Sequence, residues 1–197
     1  MLNDNEPAAA NDDGASSMQK PLQRDTLWAP WRLPYIVSTD RPRSGGCFLC
    51  EYAAAGNEND AANYVLAKTE QAIVVLNRYP YNNGHILIAP QQHKGCISEL
   101  TDAESLECQQ WIQRLVVLIR RLMTADGFNV GLNLGKVAGA GLPGHMHWHI
   151  VPRWFGDTNF MPVIAGIPVI PQSLDALYAL LKSELPRVID EAMSSKR

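Results

Sequence analysis

Gly144-His145-Met146-His147-Trp148-His149-Ile150-Val151-Pro152-Arg153-Trp154 is the stretch on which the reading of this chain turns. Three of the five histidines alternate here with Met146, Trp148 and Ile150. Successive side chains of a strand point to opposite faces, so one face is all imidazole and the other all apolar. The apolar face belongs against a core and the histidine face in a site; a solvated edge strand is the bland alternative. Three imidazoles in a row carry two chemistries. Histidines two apart on a strand can ligate one zinc ion. A neutral imidazole can also attack phosphorus and form a covalent intermediate. The pattern by itself leaves both open.

The segments around this strand set the fold class. Ala72 to Asn77 and His85 to Ala89 are short β-branched runs, and Pro80 with Asn83-Gly84 between them predicts an antiparallel hairpin with a longish loop. Thr101 and Glu104 have capping-box spacing and open a helix. Leu106, Trp111, Leu115, Leu118, Ile119 and Leu122 follow at helical spacing, and Gly127 is a natural stop. Phe128 to Leu134 and His147 to Val151 read as two further strands, separated by a glycine-rich loop. A last helix is expected from about Ser173 to Leu185. Strands without regular βαβ alternation predict an α+β fold with a mainly antiparallel sheet and two principal helices.

Composition narrows the function classes. The chain has 197 residues, 46% of them apolar, enough to bury one sizeable core. A net charge of −3 gives no basic excess for nucleic acid or anionic lipid, so neither partner is expected. The apolar run Leu115 to Ile119 ends at Arg120 and Arg121, far short of a membrane span. The polar N-terminus lacks a hydrophobic signal core, and a cytoplasmic setting is expected. Residues 1–24 read as a disordered tail and 25–197 as a single domain. At its start, Trp28-Ala29-Pro30-Trp31-Arg32-Leu33-Pro34-Tyr35 excludes a helix and reads as a clamp over the core or a nucleobase platform.

Two further constellations carry chemistry. Cys47-Phe48-Leu49-Cys50 follows Gly45-Gly46, and two thiolates at this spacing can chelate one tetrahedral zinc with two more ligands. A redox pair and two buried, unconnected thiols are the rivals. Cys96 and Cys108 read as small core residues, although His93 and Cys96 are both able to complete a zinc site. The loop Leu134-Gly135-Lys136-Val137-Ala138-Gly139-Ala140-Gly141-Leu142-Pro143-Gly144 runs straight into the histidine strand. Its glycines would let backbone N–H groups approach phosphate oxygens.

On these residues the sequence resembles the histidine-triad (HIT) superfamily of nucleotide hydrolases and transferases. His145-Met146-His147-Trp148-His149-Ile150-Val151 is similar to its alternating signature, and Asn77 with Gly84-His85-Ile86-Leu87-Ile88-Ala89-Pro90 to its upstream strand pair. The likeness covers about Leu27 to Leu185. Trp28-Ala29-Pro30-Trp31-Arg32, the Cys-x-x-Cys and Pro152-Arg153-Trp154 most resemble bacterial members of the diadenosine tetraphosphate phosphorylase type. The Cys-x-x-Cys is also similar to that of galactose-1-phosphate uridylyltransferases.

The resemblance implies a five-stranded sheet, a homodimer, and cleavage of a nucleoside polyphosphate at its α-phosphate. It implies that His147 is the nucleophile, that His149 bonds the phosphoryl oxygens and leaving group, and that His85 steadies the triad. It gives Asn77 to ribose and places Asn133 near the phosphates. Cys47, Cys50, His93 and His145 become the ligands of a structural zinc. Many family members carry Gln-Ser or Gln-Thr just before the triad; here Gly141-Leu142 stands there, leaving Lys136 and the amides of Ala140 and Gly141 to hold phosphate. The alternatives are a non-catalytic, zinc-stabilised nucleotide-binding module, a nucleotidyltransferase of the galactose-1-phosphate uridylyltransferase type, and a metallohydrolase using all three triad histidines.

Overall fold

The computed structural model describes residues 46–157 and 170–194. The tail and the Trp28–Tyr35 segment lie outside the described residues. Chain order is α1 (Phe48–Ala54), α2 (Asp60–Asn63), β1 (Val65–Lys68), β2 (Ala72–Leu76), β3 (Ile86–Pro90), α3 (Asp102–Met123), β4 (Gly127–Leu132), β5 (Trp148–Arg153) and α4 (Leu174–Ser194). The five strands form one sheet in the order β1-β2-β3-β5-β4, every neighbouring pair antiparallel. The fold is α+β, as expected.

Alternation along the strands builds two apolar layers. Val74, Leu76, Ile86, Ile88, Met146, Trp148 and Ile150 share one face of the sheet and pack with Trp111, Leu115, Leu118 and Ile119 of α3 and Leu177, Leu181 and Leu185 of α4. On the opposite face Val65, Ile73, Val75 and Ala89 form a smaller cluster with Leu49 of α1, bordered by Phe48, Tyr52 and Leu142. The expected hairpin is present, with β2 and β3 paired from Ala72↔Pro90 to Leu76↔Ile86. Gly84 takes φ +78°, and a Cβ there would sit 3.0 Å from Pro152.

Several boundaries differ from the expectation. α3 does carry the full capping box, Thr101 accepting from the Glu104 amide and Glu104 reaching back to the Thr101 amide. It ends at Thr124, which adopts φ 50°, rather than at Gly127. α4 runs past Leu185 and through Pro186 to Ser194. Val188 is buried beyond the proline, and Arg121 of α3 and Arg187 both pair with Glu191. Burial and these pairs offset the hydrogen bond that proline removes. The ladder of β5 starts at Trp148, not His147. Two steps further along this register, opposite Met146, β3 offers Pro90, which has no N–H and whose carbonyl accepts from the His145 ring. Helices α1 and α2 and strand β1 were not expected.

Candidate active site and metal centre

β5 and the residues leading into it present the two faces predicted for them. Met146, Trp148 and Ile150 enter the main core. His149 lies opposite Leu87 of β3 and Gly131 of β4, so its side is the face of the smaller cluster. Asn133 follows two residues beyond Gly131, one past the end of β4, and is half-buried.

Hydrogen bonds fix which ring nitrogen of each histidine carries the proton. His147 Nδ1 lies 2.9 Å from the His145 carbonyl, which can only accept, so Nδ1 is protonated and Nε2 bare. His145 Nε2 lies 2.9 Å from the Pro90 carbonyl, so its bare nitrogen is Nδ1. The amide orientation of Asn77 is set by its oxygen, which accepts from the Tyr79 N–H at 2.9 Å. The Asn77 Nδ2 group therefore donates to His85 Nδ1, as does the Tyr81 N–H, both at 3.1 Å. With Nδ1 an acceptor, His85 carries its proton on Nε2 and donates it to His149 Nδ1 at 2.9 Å. His149 is left with its proton on Nε2. The protonated Nε2 of His149 and the bare Nε2 of His147 thus belong to neighbouring rings, with centroids 4.9 Å apart.

Burial disfavours imidazolium at His85, His145 and His147. His85 is fully buried and pushed down to about 3, first by burial and then by His149 and His147. Burial likewise holds His147 below the ordinary imidazole range, against the opposing pull of its bond to the His145 carbonyl.

Cys47 and Cys50 sit at the cap and third residue of α1, on one side of its first turn. The His145 Nδ1 lies 3.1 Å from Cys47 Sγ and 3.4 Å from Cys50 Sγ, and His93 Nδ1 lies 3.3 Å from Cys50 Sγ. All four ligand atoms fall within 4.8 Å of one another. A tetrahedral ion with bonds of roughly 2.0–2.3 Å needs ligand atoms about 3.3–3.8 Å apart, so the set fits one. Burial and the neighbouring Cys47 push the Cys50 thiol up to about 11, a cost a divalent cation would remove. These four residues can hold a metal ion, and of the triad only His145 belongs to the set.

The surroundings hold that set in register. A Cβ on Gly144 would lie 3.2 Å from His93 Nε2, so glycine lets the ring approach the chain. The Met146 amide donates to the Lys94 carbonyl at 2.7 Å. Lys94 pairs with the buried Glu104 at 2.5 Å, tying the His93 loop to the capping box of α3. Burial raises the Glu104 carboxyl, but its bonds to Lys94 and Thr101 outweigh this and hold it below the usual range.

Other expected residues fall less centrally. Ala140 donates its amide to the Gly135 carbonyl at 3.2 Å within the glycine loop, so that N–H is committed locally. Lys136 and Gly141 are exposed, and Leu142 borders the smaller cluster. Cys108 is a core residue, whereas Cys96 is half-buried outside the core and receives a hydrogen bond from Ser98. Sequence reasoning missed Tyr81, whose ring stacks on His85 and His149. No periodicity marks a residue in an irregular loop.

The family model described as HIT domain matches residues 58–156. The chain is 38% identical over 169 residues to an AP-4-A phosphorylase of Mycobacterium tuberculosis, covering 84% of this chain and 86% of that protein. It is 29% identical over 93 residues to a bis(5'-nucleosyl)-tetraphosphatase (asymmetrical) of Schizosaccharomyces pombe, covering 47% of this chain and 50% of that one. Among solved structures, a zinc-bound histidine triad family protein from Mycobacterium smegmatis superposes with a TM-score of 0.58 at 24% identity, covering 75% and 97% of the two chains. The chain belongs to the HIT domain family. The relatives whose names state an activity include the AP-4-A phosphorylase and the bis(5'-nucleosyl)-tetraphosphatase.

Proposed function

We propose that this protein cleaves dinucleoside polyphosphates of the diadenosine tetraphosphate type at the α-phosphate, through a nucleotidyl group carried on His147. The observation that carries the reading is the orientation of that ring: its Nδ1–H is committed to the His145 carbonyl, which leaves Nε2 bare beside the Nε2–H of His149. The 38% identity to a phosphorylase of AP-4-A supports the substrate class.

In the first half-reaction the Nε2 lone pair of His147 forms a P–N bond at the α-phosphorus. The P–O bond to the departing nucleoside polyphosphate breaks, and its electron pair leaves on oxygen. In the second, an oxygen of phosphate or water attacks the same phosphorus and the P–N pair returns to Nε2. His149 donates to the phosphoryl oxygens and to the leaving oxygen throughout. A polyphosphate is a weak base, so positioning and charge stabilisation supply the rate and no strong acid is required.

In this reading Asn77 receives ribose, while Asn133, Lys136 and the amides of Ala140 and Gly141 receive phosphate oxygens. Ala140 would have to release Gly135 to do so. Cys47, Cys50, His93 and His145 hold a structural zinc, which fixes the end of β5 and activates no water. The four free cysteines suit a reducing, cytoplasmic setting. Neither nucleic acid nor membrane is a partner in this reading. Among the described residues no helix is long and apolar enough to cross a membrane.

Two copies join into a homodimer through a sheet edge. Lys182 and Tyr178 of α4 bond the Val65 and Leu66 carbonyls and obstruct the β1 edge. The edge at β4 carries exposed Val130, and Leu134 lies just beyond it.

Product analysis on diadenosine tetraphosphate tests the reading. ADP plus ATP formed only when phosphate is added identifies a phosphorylase. AMP plus ATP in plain buffer identifies a hydrolase. Absence of both, with no acid-labile labelled protein after incubation with radiolabelled substrate, defeats the proposal.

A further inference from the structure

His149 serves the proposed reaction only in one of its two neutral forms. With its proton on Nε2 it offers a donor to developing negative charge; with the proton on Nδ1 it offers a lone pair, which repels phosphate oxygens. An isolated imidazole in water exchanges between these forms, so the surroundings must select one.

Tyr81 makes three contacts that bear on this selection. Its backbone N–H donates to His85 Nδ1 at 3.1 Å, which forces the His85 proton onto Nε2 and toward His149. Its ring lies over His85 with centroids 4.7 Å apart and planes 26° apart. The same ring lies over His149 at 5.9 Å and 28°. The two imidazoles are themselves 5.1 Å apart, so one phenol ring spans the pair and the hydrogen bond between them. His85 is fully buried, but His149 is only half-buried and Tyr81 is 47% exposed. The Tyr81 ring therefore stands between water and a bond whose geometry sets the donor.

We propose that Tyr81 is a positioning residue: its ring clamps the His85–His149 hydrogen bond and keeps the His149 proton on Nε2, facing the substrate. The inference rests on the proposed role of His149. It assigns the work to the aromatic face rather than to the phenol oxygen. Removing the ring while keeping the amide opens the bond to water, lets His149 rotate and exchange tautomers, and lowers turnover more than substrate affinity.

The test compares the full-length parent with Tyr81→Phe, Tyr81→Leu and Tyr81→Ala. Long-range proton–nitrogen correlation spectra of histidine-labelled protein report directly which ring nitrogen carries the proton. The parent and Tyr81→Phe should show His149 with a bare Nδ1 and a protonated Nε2. Tyr81→Leu and Tyr81→Ala should show averaged nitrogens, with kcat on diadenosine tetraphosphate down about tenfold and KM within about twofold. Tyr81→Phe should restore kcat. An unchanged His149 signal and kcat in Tyr81→Ala overturn the inference, and so does a Tyr81→Phe defect equal to that of Tyr81→Ala. If the parent cleaves no dinucleotide, the proposed reaction fails, while the nitrogen spectra still decide whether Tyr81 sets the tautomer.

Discussion

At the residue scale, one backbone carbonyl separates two jobs that imidazole can do. His145 turns its bare nitrogen to the thiols, while its carbonyl accepts the Nδ1–H of His147 and leaves that ring's Nε2 bare. His147→Ala and His147→Asn should therefore lower turnover by at least about a thousandfold, with circular dichroism and bound zinc unchanged. Near-normal activity in either variant would refute the nucleophile assignment. Cys47→Ala should reduce bound zinc, measured by atomic emission, to a trace. Retention of the metal on the three triad histidines would instead favour the metallohydrolase alternative. His85 sets a pH dependence of stability. Its folded value, about 3, lies far below the 6.5 of the unfolded chain, so between these limits the unfolded state binds the extra proton. Stability contributed by neutral His85 is then full above about pH 6.5 and is lost as pH falls, by about 2 kcal/mol between pH 7 and pH 5. Urea midpoints over that range should fall less steeply in His85→Asn than in the parent.

At the scale of elements, legibility followed periodicity. β2, β3, the start of α3 and the two-faced strand at β5 were all readable, because burial on one side writes a period of two or 3.6 into the sequence. α1 and α2 have seven and four residues, too short for a period, and the Cys-x-x-Cys of α1 reads as a motif before it reads as a helix. β1, of four residues, has no alternation to show because its first two positions are both buried. The end of α4 was hidden by Pro186, an ordinary breaker that burial of Val188 overrides. In the site, the triad and the Cys-x-x-Cys were legible by residue type and spacing, whereas His93 stood level with Cys96 as a ligand until the family resemblance chose it. The Pro90 carbonyl and the Tyr81 ring were not legible, since partners from a distant loop leave no local trace. The Lys94–Glu104 pair gives an element-scale prediction. Glu104→Ala removes both the capping bond of α3 and the partner of Lys94. It should cost about 2 kcal/mol and lower Tm by about 4–8 °C, with weaker zinc retention in a chelator titration. A Tm within a degree of the parent would show that the pair is slack.

At the scale of the molecule, the two ends of the sheet are unlike. α4 occupies the carbonyls of β1, whereas β4 offers Val130 and a run of exposed residues. Val130→Lys should give a monomeric mass by sedimentation equilibrium at concentrations where the parent sediments as a dimer. A parent that is monomeric at those concentrations would remove the sheet-joined dimer.

The two-faced run from His145 to Ile150 has a consequence for how this lineage can change. Shifting it by a single residue would send three imidazoles into oil and Met146, Trp148 and Ile150 into the cleft, so insertions or deletions inside it have no mild outcome. Length can vary instead in the exposed stretch from Gly135 to Gly139, which ends before the seam begins. The loop is free to drift there, while the alternating lettering downstream stays frozen in frame.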